Sequence, residues 1–123
     1  IDQLDKVHIS GTYNRTDEKL KEVYVRAREI SKRHECLLWA VSQASYEAEG
    51  KSIIDYSMLD NSRTGKAGEA DLIIGIGRGA DNNDLSDPNR CITISKNKLN
   101  GWHGSRHATI SIRRGVFESD NNA

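Results

Sequence analysis

The stretch Cys36-Leu37-Leu38-Trp39-Ala40-Val41-Ser42-Gln43 decides the fold that we expect for this chain. Residues 36–41 form an unbroken apolar run, without the alternation of a strand that is half exposed to solvent. Such a run is typical of a strand covered on both faces, as in a parallel α/β sheet. The run ends at a serine and a glutamine, so a polar amide follows the carboxyl end of the predicted strand. Ligands bind at that edge in open α/β sheets.

The residues before this strand predict a strand, a helix and a right-handed crossover into it. Ile1-Asp2-Gln3-Leu4-Asp5 is typical of the end of a strand whose beginning is missing, which suggests part of a longer protein. The helix predicted over residues 17–34 has Thr16 as its N-cap, an acidic first turn and a basic last turn. Apolar residues recur in it at helical spacing: Leu20, Val23, Ala27 and Ile30.

The second half of the chain predicts further strands. A loop is expected over residues 44–53, and a short helix or turn over residues 57–63. Strands are expected at residues 71–77, 91–95, 107–113 and 116–117. The second and third of these alternate in polarity, so they should pair as a hairpin. The expected fold class is α/β: a partial mixed sheet of parallel strands with crossover helices, followed by a C-terminal β-hairpin.

Composition limits the class of protein. A chain of 123 residues suits one domain that buries a core without disulfide bonds. Acidic and basic residues balance at 18 each, but residues 88–117 carry six Lys or Arg and no Asp or Glu, a formal charge of +6. That segment is a candidate surface for phosphates or nucleic acid. Cys36 and Cys91 both lie in predicted strands, which suggests buried free thiols in a reducing compartment.

The sequence also bears on localisation. No apolar stretch has transmembrane length and no signal peptide opens the chain, so we expect a cytoplasmic protein without a membrane partner.

Three groups of residues could carry chemistry. Asp2 could hold a magnesium ion through water, opposite a nucleotide phosphate, or could simply end a strand. The Gln43 amide could donate to a γ-phosphate or orient an attacking water, or could hydrogen-bond to loop backbone. Lys96 and Lys98, two residues apart on a predicted strand, could converge on one anion or could protect a sheet edge from aggregation.

Taken in order, these pieces resemble the second half of a RecA-type ATPase core, nearest to DnaB-type and phage replicative helicases. Residues 1–5 resemble the end of the Walker B strand, and residues 16–43 resemble the family's next helix and its strand ending in Ser-Gln. Residues 57–78, which end in Arg78, resemble its short helix, acidic-Ala-Asp turn and strand closed by arginine. Residues 95–101 resemble the Lys-x-Arg-x-Gly stretch that gives a basic finger to the neighbouring subunit's nucleotide.

The resemblance implies ATP and magnesium as cofactors of the complete protein, which would assemble as a ring. Asp2 would be the metal-associated acid, and Gln43 would sense the γ-phosphate. Arg78 would belong to the nucleotide site, and Lys96 and Lys98 would act on the nucleotide of a neighbouring subunit.

The resemblance also implies contact with single-stranded DNA. The loop over residues 44–54 would face the DNA strand, with Lys51 as a phosphate contact. Arg106, in the basic segment over residues 88–117, is a second candidate for DNA binding.

Two departures from the family pattern matter. Lys98 stands where the family often has arginine, and a lysine cannot make the same bidentate contact. No Gly-x-x-x-x-Gly-Lys-Ser/Thr motif occurs, so the loop that cradles phosphates is missing from the sequence. We therefore expect the chain to be part of an ATP-driven replicative DNA helicase that neither binds ATP tightly nor hydrolyses it by itself.

Two other hypotheses remain open. One is a non-catalytic nucleic-acid-binding or assembly module with a degenerate RecA-like fold. The other is an unrelated α/β domain whose similarities arose by chance.

Overall fold

The structure, a computed structural model, describes residues 1–60 and 65–119. The chain divides into two compact units: Ile1–Ser45 with Ser57–Ala70, and Tyr46–Tyr56 with Asp71–Ala123. No helix in the described part is both long and apolar enough to cross a membrane. That the whole chain forms a single domain stays a prediction.

The first unit is built on helix α1, Thr16–Arg33, which confirms the helix predicted from periodicity. Its buried residues are Leu20, Val23 and Ala27, spaced three and four apart, so they share one face. Arg15, not Thr16, is the N-cap, and it is extended with no capping hydrogen bond from its side chain. The guanidinium of Arg15 instead pairs with Asp17 in the first turn, at 2.8 Å.

The core of the first unit lies between α1 and the segments on either side of it. Leu4, Val23 and Ala27 form its buried centre, and Ile9, Tyr24 and Leu38 pack around them. Helix α2, Gly65–Glu69, also packs against α1. Short 3-10 turns lie at Leu4–Lys6, Tyr46–Ala48 and Tyr56–Met58. Of the short helix or turn predicted over residues 57–63, residues 61–63 lie outside the described residues.

The prediction of a buried central strand at residues 36–41 is wrong. These residues form no strand, and Leu37, Trp39 and Val41 are 80%, 60% and 59% exposed. Their backbone hydrogen bonds to the N-terminal segment involve Ile1, whose amine donates to Trp39 O at 2.5 Å and whose carbonyl accepts from Val41 at 2.9 Å. One residue cannot make a ladder, so the apolar run belongs to no sheet of the described residues. Cys36 is accordingly exposed rather than buried.

The second unit contains one four-stranded sheet in the order β1-β2-β3-β4. Its strands are β1 (Leu72–Arg78), β2 (Asn89–Asn97), β3 (Gly104–Ser111) and β4 (Val116–Ser119). The existence of these strands and the β2–β3 hairpin confirm the sequence analysis. Every neighbouring pair is antiparallel, so the parallel sheet that we predicted is wrong for the described strands. The connections between successive strands are short, and a parallel pair would need a longer crossover.

Two glycines let another segment lie directly on β1. Gly75 and Gly77 are buried, whereas Ile74 and Ile76, which precede them in turn, are exposed. A Cβ atom on Gly77 would lie 2.0 Å from the carbonyl oxygen of Ser52, and one on Gly75 would lie 2.4 Å from that of Ile54. Because only glycine leaves room for this approach, residues 52–54 cover one face of β1.

Candidate functional site

The structure brings the segments that carry Asp2 and Gln43 together within the first unit. Ile1 forms backbone hydrogen bonds with residues 39 and 41. Asp2, the next residue, therefore lies close to the segment that leads into Gln43. The backbone carbonyl of Gln43 accepts a hydrogen bond from Asp60 at 3.2 Å, which holds the other side of that segment. Both side chains are exposed. An acid and an amide are therefore available to solvent on neighbouring segments, although neither segment is the strand that we predicted.

A partly buried polar network lies in the same unit, on the segments that carry these two residues. Asp5 accepts hydrogen bonds from Tyr24 Oη at 2.7 Å, from Ser42 Oγ at 2.9 Å and from Lys66 Nζ at 2.5 Å. Lys66 Nζ also lies 3.1 Å from Ser42 Oγ. The Lys66 side chain is 1% exposed, so its ammonium group depends on these partners for solvation. The network joins α2, α1 and the two segments that carry Asp2 and Gln43.

The network changes the ionisation of two of its members. Burial by itself raises the pKa of Asp5, but hydrogen bonds from Lys66, Tyr24 and Ser42 outweigh it, so the pKa lies below its ordinary value of 3.8. Burial, and then the hydrogen bond to Asp5, raise the pKa of the Tyr24 phenol well above its ordinary value. Near neutral pH, Asp5 is therefore a carboxylate and Tyr24 a neutral phenol.

Neither Lys66 nor Tyr24 was predicted from the sequence to carry chemistry. Tyr24 follows Val23 on the apolar side of α1, where a tyrosine is compatible with simple packing. Lys66 lies between Gly65 and Ala67, and nothing in that pattern distinguishes a buried lysine from an exposed one. The one feature of the sequence that could have indicated the burial of Lys66 is a charged residue among small residues, shortly before an apolar strand.

Lys51, the predicted DNA contact, lies in the second unit beside the end of β1. The backbone carbonyl of Lys51 accepts a hydrogen bond from Arg78 at 2.8 Å, and that of Gly50 accepts one from Asn82 at 2.9 Å. Asp81 Oδ1 accepts hydrogen bonds from both the amide and the hydroxyl of Ser52, each at 2.8 Å. The loop that we predicted over residues 44–53 thus has defined partners along residues 50–52.

The other predicted residues are also in the second unit. Arg78 ends β1, and its guanidinium donates to the carbonyl of Asp84 at 3.1 Å. Lys96 lies on β2 opposite Ile73, but Lys98 follows the end of β2, so the two lysines are not both on the strand as predicted. A register shift between Ile73 and Ile74 further alters the alternation of faces next to Lys96.

Arg106 lies on β3 opposite Ile92 and is exposed. Asp2 and Gln43 therefore belong to one unit, and Lys51, Arg78, Lys96, Lys98 and Arg106 belong to the other.

Comparisons with known proteins bear on the fold. No protein-family model matches the sequence, and no curated protein matches it at a significant level. The solved ATPase domain of one DnaB-like replicative helicase is 18% identical, with a TM-score of 0.80, over 96% of this chain and 42% of its own. A second DnaB-like replicative helicase, solved in a study of its interactions with primase, is 19% identical, with a TM-score of 0.77, over 94% of this chain and 29% of its own.

The chain spans less than half the length of either of these structures. At these identities the likeness concerns the fold alone. The resemblance predicted from the sequence is confirmed at that level: the chain has the fold of part of a DnaB-like replicative helicase ATPase domain.

Proposed function

We propose that this chain is part of an ATP-driven replicative DNA helicase and is not catalytic by itself. The observation that carries the proposal is the fold likeness to replicative helicases over nearly the whole chain. Two features of the sequence support it: Ser42-Gln43 after an apolar run, and the basic segment over residues 88–117. The proposed ligands are ATP with magnesium in the complete protein, and single-stranded DNA.

In the proposed site, Asp2 is the metal-associated acid and Gln43 senses the γ-phosphate. Their exposure and their neighbouring segments support this assignment. No group of three or more His, Cys, Asp or Glu residues converges within residues 1–60 and 65–119. A single carboxylate suits magnesium that keeps water ligands and also contacts nucleotide phosphates. The magnesium ion would neutralise phosphate charge during phosphoryl transfer.

The second unit would supply cations. Lys96 and Lys98 would reach the nucleotide of a neighbouring subunit in a ring, and Arg78 would belong to the nucleotide site. Lys98 as a point charge would stabilise phosphate oxygens without the bidentate geometry of arginine. Lys51 and Arg106 would contact DNA phosphates, and both have exposed side chains.

Binding of labelled single-stranded oligo-dT, measured by fluorescence anisotropy at several salt concentrations, tests the DNA part of the proposal. Contacts from Lys51 and Arg106 predict that log K falls against log salt with a slope of roughly −1.4, since each contact to single strands contributes about −0.7. Lys51→Ala and Arg106→Ala should each weaken binding and reduce the magnitude of the slope by about 0.7.

The matched control is Lys21→Ala, which removes an exposed lysine of α1 in the first unit. It should leave the affinity and the slope unchanged. An affinity that is flat between low and moderate salt would contradict phosphate contacts by these residues.

A further inference from the structure

Residues 50–52, here called the anchored segment, are held by the end of β1 and by the connection after it. Two backbone bonds join the segment to Arg78 and Asn82, and Asp81 accepts two bonds from Ser52. Asp81 therefore contributes to this anchoring through its side chain. Gly77 adds close packing, because the Ser52 carbonyl occupies the space where a Cβ would stand.

The contacts of Asp81 differ in strength. Its two hydrogen bonds with Ser52 are 2.8 Å long and end on a charged acceptor, which makes them strong for their class. These same bonds, from the Ser52 amide and then its hydroxyl, hold the pKa of Asp81 below its usual value. Asp81 Oδ2 lies 3.8 Å from Lys51 Nζ, and both side chains are largely exposed. Such a pair contributes little and can exchange for a phosphate.

We propose that Asp81 is a positioning residue for DNA binding: its carboxylate holds Ser52 and so orders the anchored segment that presents Lys51. This inference rests on the proposed role of Lys51 as a phosphate contact. A segment that is ordered before binding loses less conformational entropy when DNA arrives. Asp81 would thus favour DNA binding although its own charge repels phosphate.

The charge of Asp81 and its ordering of the segment have opposite effects on DNA affinity, so the direction of the change in affinity distinguishes them. If Asp81 acted through charge alone, its removal would raise the affinity for single-stranded DNA. If it acts by ordering residues 50–52, its removal lowers that affinity. Asp84 provides a matched control because it carries the same charge in the same connection, and its side chain accepts hydrogen bonds from Ser86 rather than from the anchored segment.

The experiment measures binding of labelled oligo-dT to the full chain and to Asp81→Ala, Asp84→Ala, Ser52→Ala and Lys51→Ala variants. We expect Asp81→Ala to weaken binding by about three- to tenfold, since the segment must then be ordered on binding. Asp84→Ala should bind equally or slightly more tightly. Ser52→Ala, which changes no charge but removes one of the two bonds, should weaken binding by a smaller factor.

The outcomes separate this inference from the proposed function. No effect of Lys51→Ala would contradict the role of Lys51 itself. If Lys51→Ala weakens binding but Asp81→Ala strengthens it as Asp84→Ala does, the role of Lys51 stands and the positioning role is overturned. In the double variant Lys51→Ala, Asp81→Ala, we expect no weakening beyond that of Lys51→Ala alone.

Amide hydrogen exchange checks the cause. The Ser52 and Asn82 amides should lose protection in Asp81→Ala and keep it in Asp84→Ala, while the β2–β3 ladder stays protected in both. If the β2–β3 ladder also loses protection in Asp81→Ala, the Ser52→Ala variant, which keeps every charge, provides the test. In that variant, unchanged DNA affinity together with lost protection of the residue 52 amide would overturn the proposal.

Discussion

Lys66 shows how one residue can control a local arrangement. A buried ammonium group has lost its hydration, and only good partners offset that cost. Lys66 has two of them, the carboxylate of Asp5 and the hydroxyl of Ser42. Because Ser42 directly precedes Gln43, the same contacts that solvate Lys66 also fix the backbone leading to the proposed phosphate sensor.

We expect Lys66→Met to destabilise the protein by about 2–3 kcal/mol at about pH 7, because it leaves the Asp5 carboxylate partly buried without its cation. The difference from wild type should shrink as the pH falls. Since the folded-state pKa of Asp5 is lowered, its stabilising contribution is present above the ordinary value of 3.8 and is lost as pH falls through the folded-state value. Urea unfolding followed by circular dichroism at about pH 7 and about pH 3 measures both effects.

Lys21→Met is the control for this experiment, since it makes the same chemical change at an exposed position of α1. It should shift stability by no more than about 0.5 kcal/mol at either pH. A Lys66→Met variant as stable as Lys21→Met at neutral pH would show that the network contributes nothing to stability.

At the scale of elements, the glycines of β1 matter more than its apolar residues. Ile74 and Ile76 predicted the strand, but Gly75 and Gly77 determine what covers it. The carbonyl groups of residues 52 and 54 approach so closely that no side chain fits between them and β1.

We expect Gly77→Ala to destabilise the protein by about 2 kcal/mol, because the added methyl group must displace the Ser52 backbone. Thermal unfolding measures the change. The Arg78 amide, which donates to Lys51, should exchange its hydrogen faster in this variant.

Gly68→Ala is a control with the opposite expected sign. Gly68 lies within α2, and a Cβ there would have no heavy atom within 4 Å apart from its chain neighbours and the backbone of the helix itself. Alanine should therefore stabilise the helix by about 0.5 kcal/mol or leave it unchanged. Equal effects of the two substitutions would contradict the argument from close approach.

At the scale of the whole molecule, the fold likeness and the missing sequence motif point in different directions. The fold is that of part of a replicative helicase ATPase domain, yet the sequence lacks Gly-x-x-x-x-Gly-Lys-Ser/Thr. Phosphoryl transfer depends on positioning the phosphates and stabilising their charge, which that motif provides.

We therefore expect the purified chain to show no ATP hydrolysis above the buffer background, with magnesium present and with or without single-stranded DNA. A coupled assay of phosphate release measures this, with Gln43→Ala as the matched variant. Turnover that Gln43→Ala abolishes would show that the chain has a complete site and that our conclusion from the missing phosphate-cradling motif is wrong.

Sequence by itself determined the elements whose signals are local. The apolar spacing of α1, the strand at Leu72–Arg78 and the alternation in the β2–β3 hairpin were all predictable, because each depends on neighbours a few residues away. The order of these pieces was enough to indicate the helicase fold. The segments that carry Asp2 and Gln43 were likewise expected to lie side by side.

Tertiary structure decided the features that depend on distant partners. Residues 36–41 have the composition of a buried strand, but a strand also needs neighbouring strands. Among the described residues of the N-terminal segment, residues 36–41 form backbone hydrogen bonds with Ile1 alone. Whether the strands run parallel or antiparallel depends on which strands become neighbours. The buried ammonium group of Lys66 depends on its ion pair with Asp5, which is far away in the chain. Local patterns contain no information about such contacts, because burial and pairing arise only when remote segments come together.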